Sequence, residues 1–166
     1  GTISEKIFET LRQVRTVGDQ IMMLEAVSIL KGSLYRNDTE RTDKILADNL
    51  SDRLYQAVQK ILSAADFKVT ENLEEYSSGL KNALEKMRAV HFEVAFVPNE
   101  DLIDEITDWI SSELGPGIII DFYLNPAIVG GAVIISEGEY FDFTLSAILE
   151  RNFEKSWEAV SREHSL

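Results

Sequence analysis

Ile118-Ile119-Ile120-Asp121-Phe122-Tyr123-Leu124, followed by Asn125-Pro126, Gly130-Gly131 and Ala132-Val133-Ile134-Ile135, is the stretch on which the fold turns. Its first seven residues are mostly β-branched or aromatic and stop at an Asn-Pro turn, so they read as a strand. The apolar run after the paired glycines reads as a second strand, with the glycines marking a special backbone point between the two. Ser136-Glu137-Gly138-Glu139 then turns the chain, and the short Tyr140-Phe141-Asp142 segment fits the return strand of a hairpin.

Working outward, the alternation in His91-Phe92-Glu93-Val94-Ala95-Phe96-Val97 predicts another strand, stopped by Pro98-Asn99. Asn99 is the expected cap of a helix over about 100–114, whose apolar face is Leu102, Ile103, Ile106, Trp109 and Ile110. Acidic residues in its first turn suit the positive end of the helix dipole, and Gly115-Pro116-Gly117 ends it. Downstream, Asp142 or Thr144 can cap a last helix with Leu145, Ile148, Leu149, Phe153 and Trp157 facing inward. Trp157, beside a polar tail that leaves little protein to cover it, doubles as a candidate interface anchor.

The first ninety residues follow a different grammar. Apolar residues recur at helical spacing from Ile3 to Leu34, which predicts two helices hinged near Gly18, with Ser4 and Lys6-Ile7-Phe8 as the first turn. Arg36-Asn37-Asp38-Thr39 breaks the pattern. From Ile45 through Leu46, Leu50, Leu54, Val58 and Ile61 to Leu62 one apolar stripe runs for about five turns, predicting one long helix. After Asp66-Phe67-Lys68-Val69-Thr70, a narrower seam of Leu73, Tyr76, Leu80, Ala83 and Met87 predicts a helix packed on another, weakened at Gly79. The expected fold is therefore α+β: an antiparallel helical bundle over 1–90, then a small α/β domain over 91–166 with a short mixed sheet flanked by helices.

Composition narrows the function. A formal net charge of -13 repels phosphate backbones and anionic lipid, which argues against nucleic acid. The absence of cysteine removes disulfides, thiolate nucleophiles and thiolate-bound metals together. Apolar runs fall far short of the roughly 20 residues of a membrane span, so no direct membrane insertion is expected. The start at Gly1, with neither an initiator Met nor an apolar secretory core, reads as a trimmed end.

Chemistry-bearing constellations are thin. His91 opens a strand and His164 sits in the polar tail, and no Gly-x-Ser-x-Gly elbow is present. Gly130-Gly131 enters a strand rather than a helix and lacks the Lys-Ser/Thr of a phosphate loop. The acidic run Asn99-Glu100-Asp101 with Asp104-Glu105 matches no calcium-loop spacing and reads as a solvated helix start. No catalytic residue, metal ligand, cofactor or small-molecule substrate is expected.

The stretch 121–135, with Gly138, Asp142-Phe143-Thr144-Leu145 and Leu149-Glu150 behind it, resembles the C-terminal region of the delta subunit of F-type ATP synthases, whose mitochondrial counterpart is the oligomycin-sensitivity-conferring protein. Asn125, Ile128, Gly130, Gly131, Asp142 and Thr144 fall where that family places its turn, Gly-Gly, hairpin and helix cap; Leu145 stands where it often carries a charge. The motif covers about the last forty-five residues, and the agreement upstream is one of layout.

The resemblance implies a non-catalytic stator subunit, held at the cytoplasmic or matrix/stromal side of a membrane through its complex. Its helical domain would grip the alpha subunits of the catalytic head and its C-terminal domain the b subunits of the peripheral stalk. Exposed apolar positions such as Phe8, Leu11 and Ile21 would then line a groove for a partner's amphipathic helix. The long stalk protein of vacuolar/archaeal-type ATPases also carries a Gly-Gly strand and hairpin, but its N-terminal half should be one extended coiled coil. A regulatory domain using Gly130-Gly131 as a metabolite loop, with its helices as an oligomerisation bundle, is the remaining alternative.

Overall fold

A computed structural model describes residues 1–36, 38–128, 131–136 and 139–144, the last two segments as backbone. The fold is α+β, and the chain divides into two compact units, Gly1–Met87 and a second beginning at Arg88.

The first unit holds α1 (Ile3–Leu11), α2 (Val17–Ser33), α3 (Thr39–Asn49), α4 (Asp52–Leu62) and α5 (Val69–Lys86). α5 is its centre and packs against both α1 and α2; α3 lies on α2 and α4, and α4 also meets α1. The apolar stripes read from the sequence converge here, burying Met23, Leu30, Leu46, Leu54, Leu80 and Leu84. Leu84, rather than Ala83, carries the end of the α5 seam, and Met87 lies beyond the helix.

Ser4 lies in the first turn of α1, as expected, and Thr2 caps that turn, its Oγ1 accepting the Glu5 N–H at 3.1 Å. Two other local expectations are corrected. The break between α1 and α2 covers Arg12–Thr16 rather than a hinge at Gly18: Thr16 is extended and its Oγ1 accepts the Asp19 N–H. The single long helix expected over 45–62 is two, since Leu50 is extended (φ -102°, ψ 148°) and Ser51 caps α4 through the Leu54 N–H. An apolar stripe survives such a break because the two helices each turn their own face to one core.

Gly79 has a packing role. A Cβ there would lie 2.5 Å from Ile7 Cδ1, so the bare backbone of α5 lets the Ile7 side chain of α1 settle on it. The cost in intrinsic helix stability, about 1 kcal/mol relative to Ala, is set against that approach.

The second unit contains β1 (Arg88–Val94), α6 (Glu100–Leu114), β2 (Ile118–Leu124), β3 (Gly131–Ser136) and β4 (Glu139–Thr144). Its four-stranded sheet has the order β2-β1-β3-β4 and is mixed: β1 and β2 are parallel, the other pairs antiparallel. β1 starts three residues before His91 and stops before Phe96-Val97, correcting the expected span. Pairing decides it: Arg88 N–H donates to the Gly117 carbonyl, and the ladder with β2 runs from Arg88↔Ile118 to Val94↔Leu124. Val90, Phe92, Val94 and Ile120 point to one face and bury Ile106, Trp109 and Ile110 of α6.

Asn99 caps α6 as expected, accepting the Leu102 N–H at 2.8 Å, and Gly115 and Gly117 at φ 98° and 78° supply left-handed backbone that other residues adopt at a cost. β4 is longer than the return strand expected over 140–142, and Asp142 lies in its ladder opposite Val133; that position excludes it as a helix cap. The predicted last helix, with Leu145, Ile148, Leu149, Phe153 and Trp157, lies outside the described residues, as does Gly130.

Candidate functional site

The motif that carries the family resemblance is built around a turn. Asn125 N–H donates to the Val94 carbonyl at 2.7 Å, tying the end of β2 to the end of β1. Its side-chain Oδ1 accepts the Ala127 N–H at 3.1 Å and its carbonyl accepts the Ile128 N–H at 3.1 Å, so one residue closes the turn twice. Ile128 is half-buried behind it. Gly131 then opens β3 opposite Thr144, the last residue of β4, which places these two motif residues side by side in the ladder.

Beside the turn is a polar group on the sheet face opposite α6. The His91 and Tyr123 rings stack with centroids 4.0 Å apart, His91 Nε2 lies 3.3 Å from Glu93 Oε1, and Tyr123 donates its hydroxyl to Asp121 at 3.0 Å. Donation to that carboxylate raises the Tyr123 pKa, because ionising the phenol would set two anions against each other. Among the described residues no group of three or more His, Asp or Glu side chains could hold a metal ion.

Exposed apolar side chains occur at the end of α2, where Leu34 and Tyr35 lie, at Val69 where α5 starts, and in two further groups. In the helical unit, Phe8 is 61% exposed on α1 and Ile21 is 60% exposed on α2, with Met22 beside it, while Leu11 is half-buried. α1 and α2 share α5 as their support. In the second unit Phe96, Val97, Tyr123 and Leu124 are exposed where β1 and β2 end. Sequence reasoning missed this second group, since Phe96 and Val97 were assigned to the strand; their signal was an apolar pair immediately before Pro98, past the last residue that pairing needs.

The polar interior of the helical unit is well partnered. Lys6, buried on α1, reaches Asp66 at 3.0 Å; the Gly1 amine and the Lys6 ammonium hold the Asp66 carboxyl down to about 2. Arg53 on α4 binds the Gln13 carbonyl and the Asp19 carboxylate, the latter at 2.8 Å, and so joins α4 to the link between α1 and α2. Asp19 also accepts the Arg15 N–H at 3.0 Å. A cavity of about 630 Å³ opens between Leu34, Thr39, Leu46, Leu62, Val69 and Leu73, with an apolar floor and a polar rim. Among the described residues no helix is long and apolar enough to cross a membrane.

These surfaces present backbone turns, exposed apolar side chains and satisfied ion pairs. In comparison with known proteins, no family model matches the chain and no curated protein matches it.

Proposed function

We propose that this chain is a non-catalytic stator subunit resembling the delta subunit of ATP synthase, joining the alpha subunits of a catalytic head to the b subunits of a peripheral stalk and resisting rotor torque. The observation that carries the reading is the path from β2 through the Asn125–Ile128 turn to Gly131, β3 and the hairpin, following a separate five-helix unit. On this reading the protein sits at the cytoplasmic or matrix/stromal side, attached to the membrane through its complex.

Torque resistance asks for long-lived contact, and a partner helix laid on exposed apolar side chains supplies burial without chemistry. Phe8, Leu11 and Ile21 are the proposed contacts for the head. The rival vacuolar-type stalk protein would need one extended coil in its first half, whereas among the described residues of Gly1–Met87 no helix is longer than 18 residues.

Affinity capture from the source cell with the intact chain as bait tests the proposal. Alpha and b subunits should be recovered together by mass spectrometry, and a Phe8→Glu/Ile21→Glu variant should lose alpha while retaining b and an unchanged thermal melt. Reproducible capture of other partners with neither of the two present would overturn it.

A further inference from the structure

The cleft between α1 and α4 collects positive charge in a chain that is otherwise acidic. It has a volume of about 520 Å³, within the range of roughly 300–1,000 Å³ typical of small-ligand sites. Arg12, Arg53 and Lys60 line it, with Glu9 as its one carboxylate and Ile61 buried below. Helical spacing puts Arg53, Gln56 and Lys60 on one face of α4, and the chain leaving α1 brings Glu9, Arg12 and Gln13 to the other wall.

The three cations are not equivalent. Arg53 is held in place by the Gln13 carbonyl, by Gln13 Oε1 at 3.2 Å and by Asp19 Oδ2 at 2.8 Å. Those three bonds leave at least two of the five N–H donors of the guanidinium for another acceptor. Arg12 and Lys60 are exposed, and among the described residues neither makes an ion pair, with Glu9 or otherwise. Two exposed cations therefore flank one anchored guanidinium. Asp19 offsets Arg53, so the attraction for an anion comes mainly from Arg12 and Lys60.

We propose that this cleft binds a multivalent oxyanion, of phosphate or polycarboxylate chemistry. Arg53 and Lys60 are seven residues apart on α4, about 10.5 Å along the axis, and their long side chains can reach the two charged groups of one anion lying in the cleft. Guanidinium groups bind such oxygens in pairs, which gives geometric preference as well as charge. The chain's net charge of -13 does not abolish the attraction, because at physiological salt charges beyond about 8 Å are largely screened and the cleft is governed by its own lining. This inference stands independently of the stator reading.

The test is a titration of the full chain with sodium pyrophosphate and, separately, sodium citrate, followed by amide NMR shifts, with sodium chloride of matched ionic strength as the reference. The expected result is saturable movement of amides in residues 9–13 and 53–61 with at least one probe, and the probe that binds tells phosphate from carboxylate preference. Arg12→Gln/Lys60→Gln should weaken binding by about tenfold or more. The equally charged Arg41→Gln/Lys44→Gln variant on α3 should bind as wild type. Both substituted pairs are exposed, and a thermal melt of each variant verifies folding. Shifts no larger than those with chloride, saturation unaltered by Arg12→Gln/Lys60→Gln, or equal weakening by the α3 variant would each overturn the proposal.

Discussion

Tyr76 brings a hydroxyl into the middle of the helical unit, where it lies 2.7 Å from Thr10 Oγ1 with no exposure to water. Thr10 spends its own proton on the Lys6 carbonyl at 3.0 Å, so in this pair Tyr76 donates and Thr10 accepts. Burial pushes the Tyr76 pKa up to about 12 from its ordinary 10.0, because a phenolate there would be poorly solvated. The unfolded chain ionises first: stability from the neutral phenol is complete below pH 10 and is lost as pH rises toward 12. Tyr76→Phe leaves Thr10 bonded to Lys6 and should cost about 1 kcal/mol at neutral pH. It should also make denaturant midpoints fall less steeply than wild type between about pH 10 and 12; parallel pH profiles would assign the alkaline loss to other groups. The sequence placed Tyr76 on an apolar seam, but its partner lies 66 residues away and looks like any polar helix residue.

At the scale of elements, α6 was readable because both its ends carry their own chemistry. The Asn99 side chain satisfies a free N–H of the first turn, so Asn99→Ala should lower the unfolding free energy of the second unit by about 1 kcal/mol, whereas Asn99→Asp should retain it. Urea unfolding followed by tryptophan fluorescence, with Trp157→Phe as the background so that Trp109 reports alone, measures both, and equal loss in the two variants would mean the cap is not the reason. The α3–α4 break was not readable for the opposite reason. Ile45, Leu46, Leu50, Leu54 and Val58 keep helical spacing across it, and the only contrary mark is Ser51, a residue that also occurs within helices. β1 was misplaced because Arg88 and Ala89 have little strand character of their own; the parallel ladder with β2 recruits them.

For the whole molecule, the division after Met87 predicts that a fragment 1–87 folds alone, with a cooperative thermal transition and a helical circular dichroism spectrum. A gradual, non-cooperative melt would show that its core depends on the rest of the chain. Of the candidate site, the turn residues Asn125 and Ile128 and the Gly131 strand were legible because local turn chemistry specifies them. The exposure of Phe8 and Ile21 depends on which faces α5 covers, and the cationic cleft unites residues forty positions apart; neither is written in local spacing.

The position of β1 inside the sheet has a consequence for synthesis. It is the earliest strand made, yet both its neighbours come later, β2 after about thirty residues and β3 later still. At translation rates of roughly 5–20 residues per second, β1 leaves the ribosome with two unpaired edges for about 2–6 s before its first partner follows. Val90, Phe92 and Val94 are without a sheet during that interval, and only α6 emerges in time to shelter them.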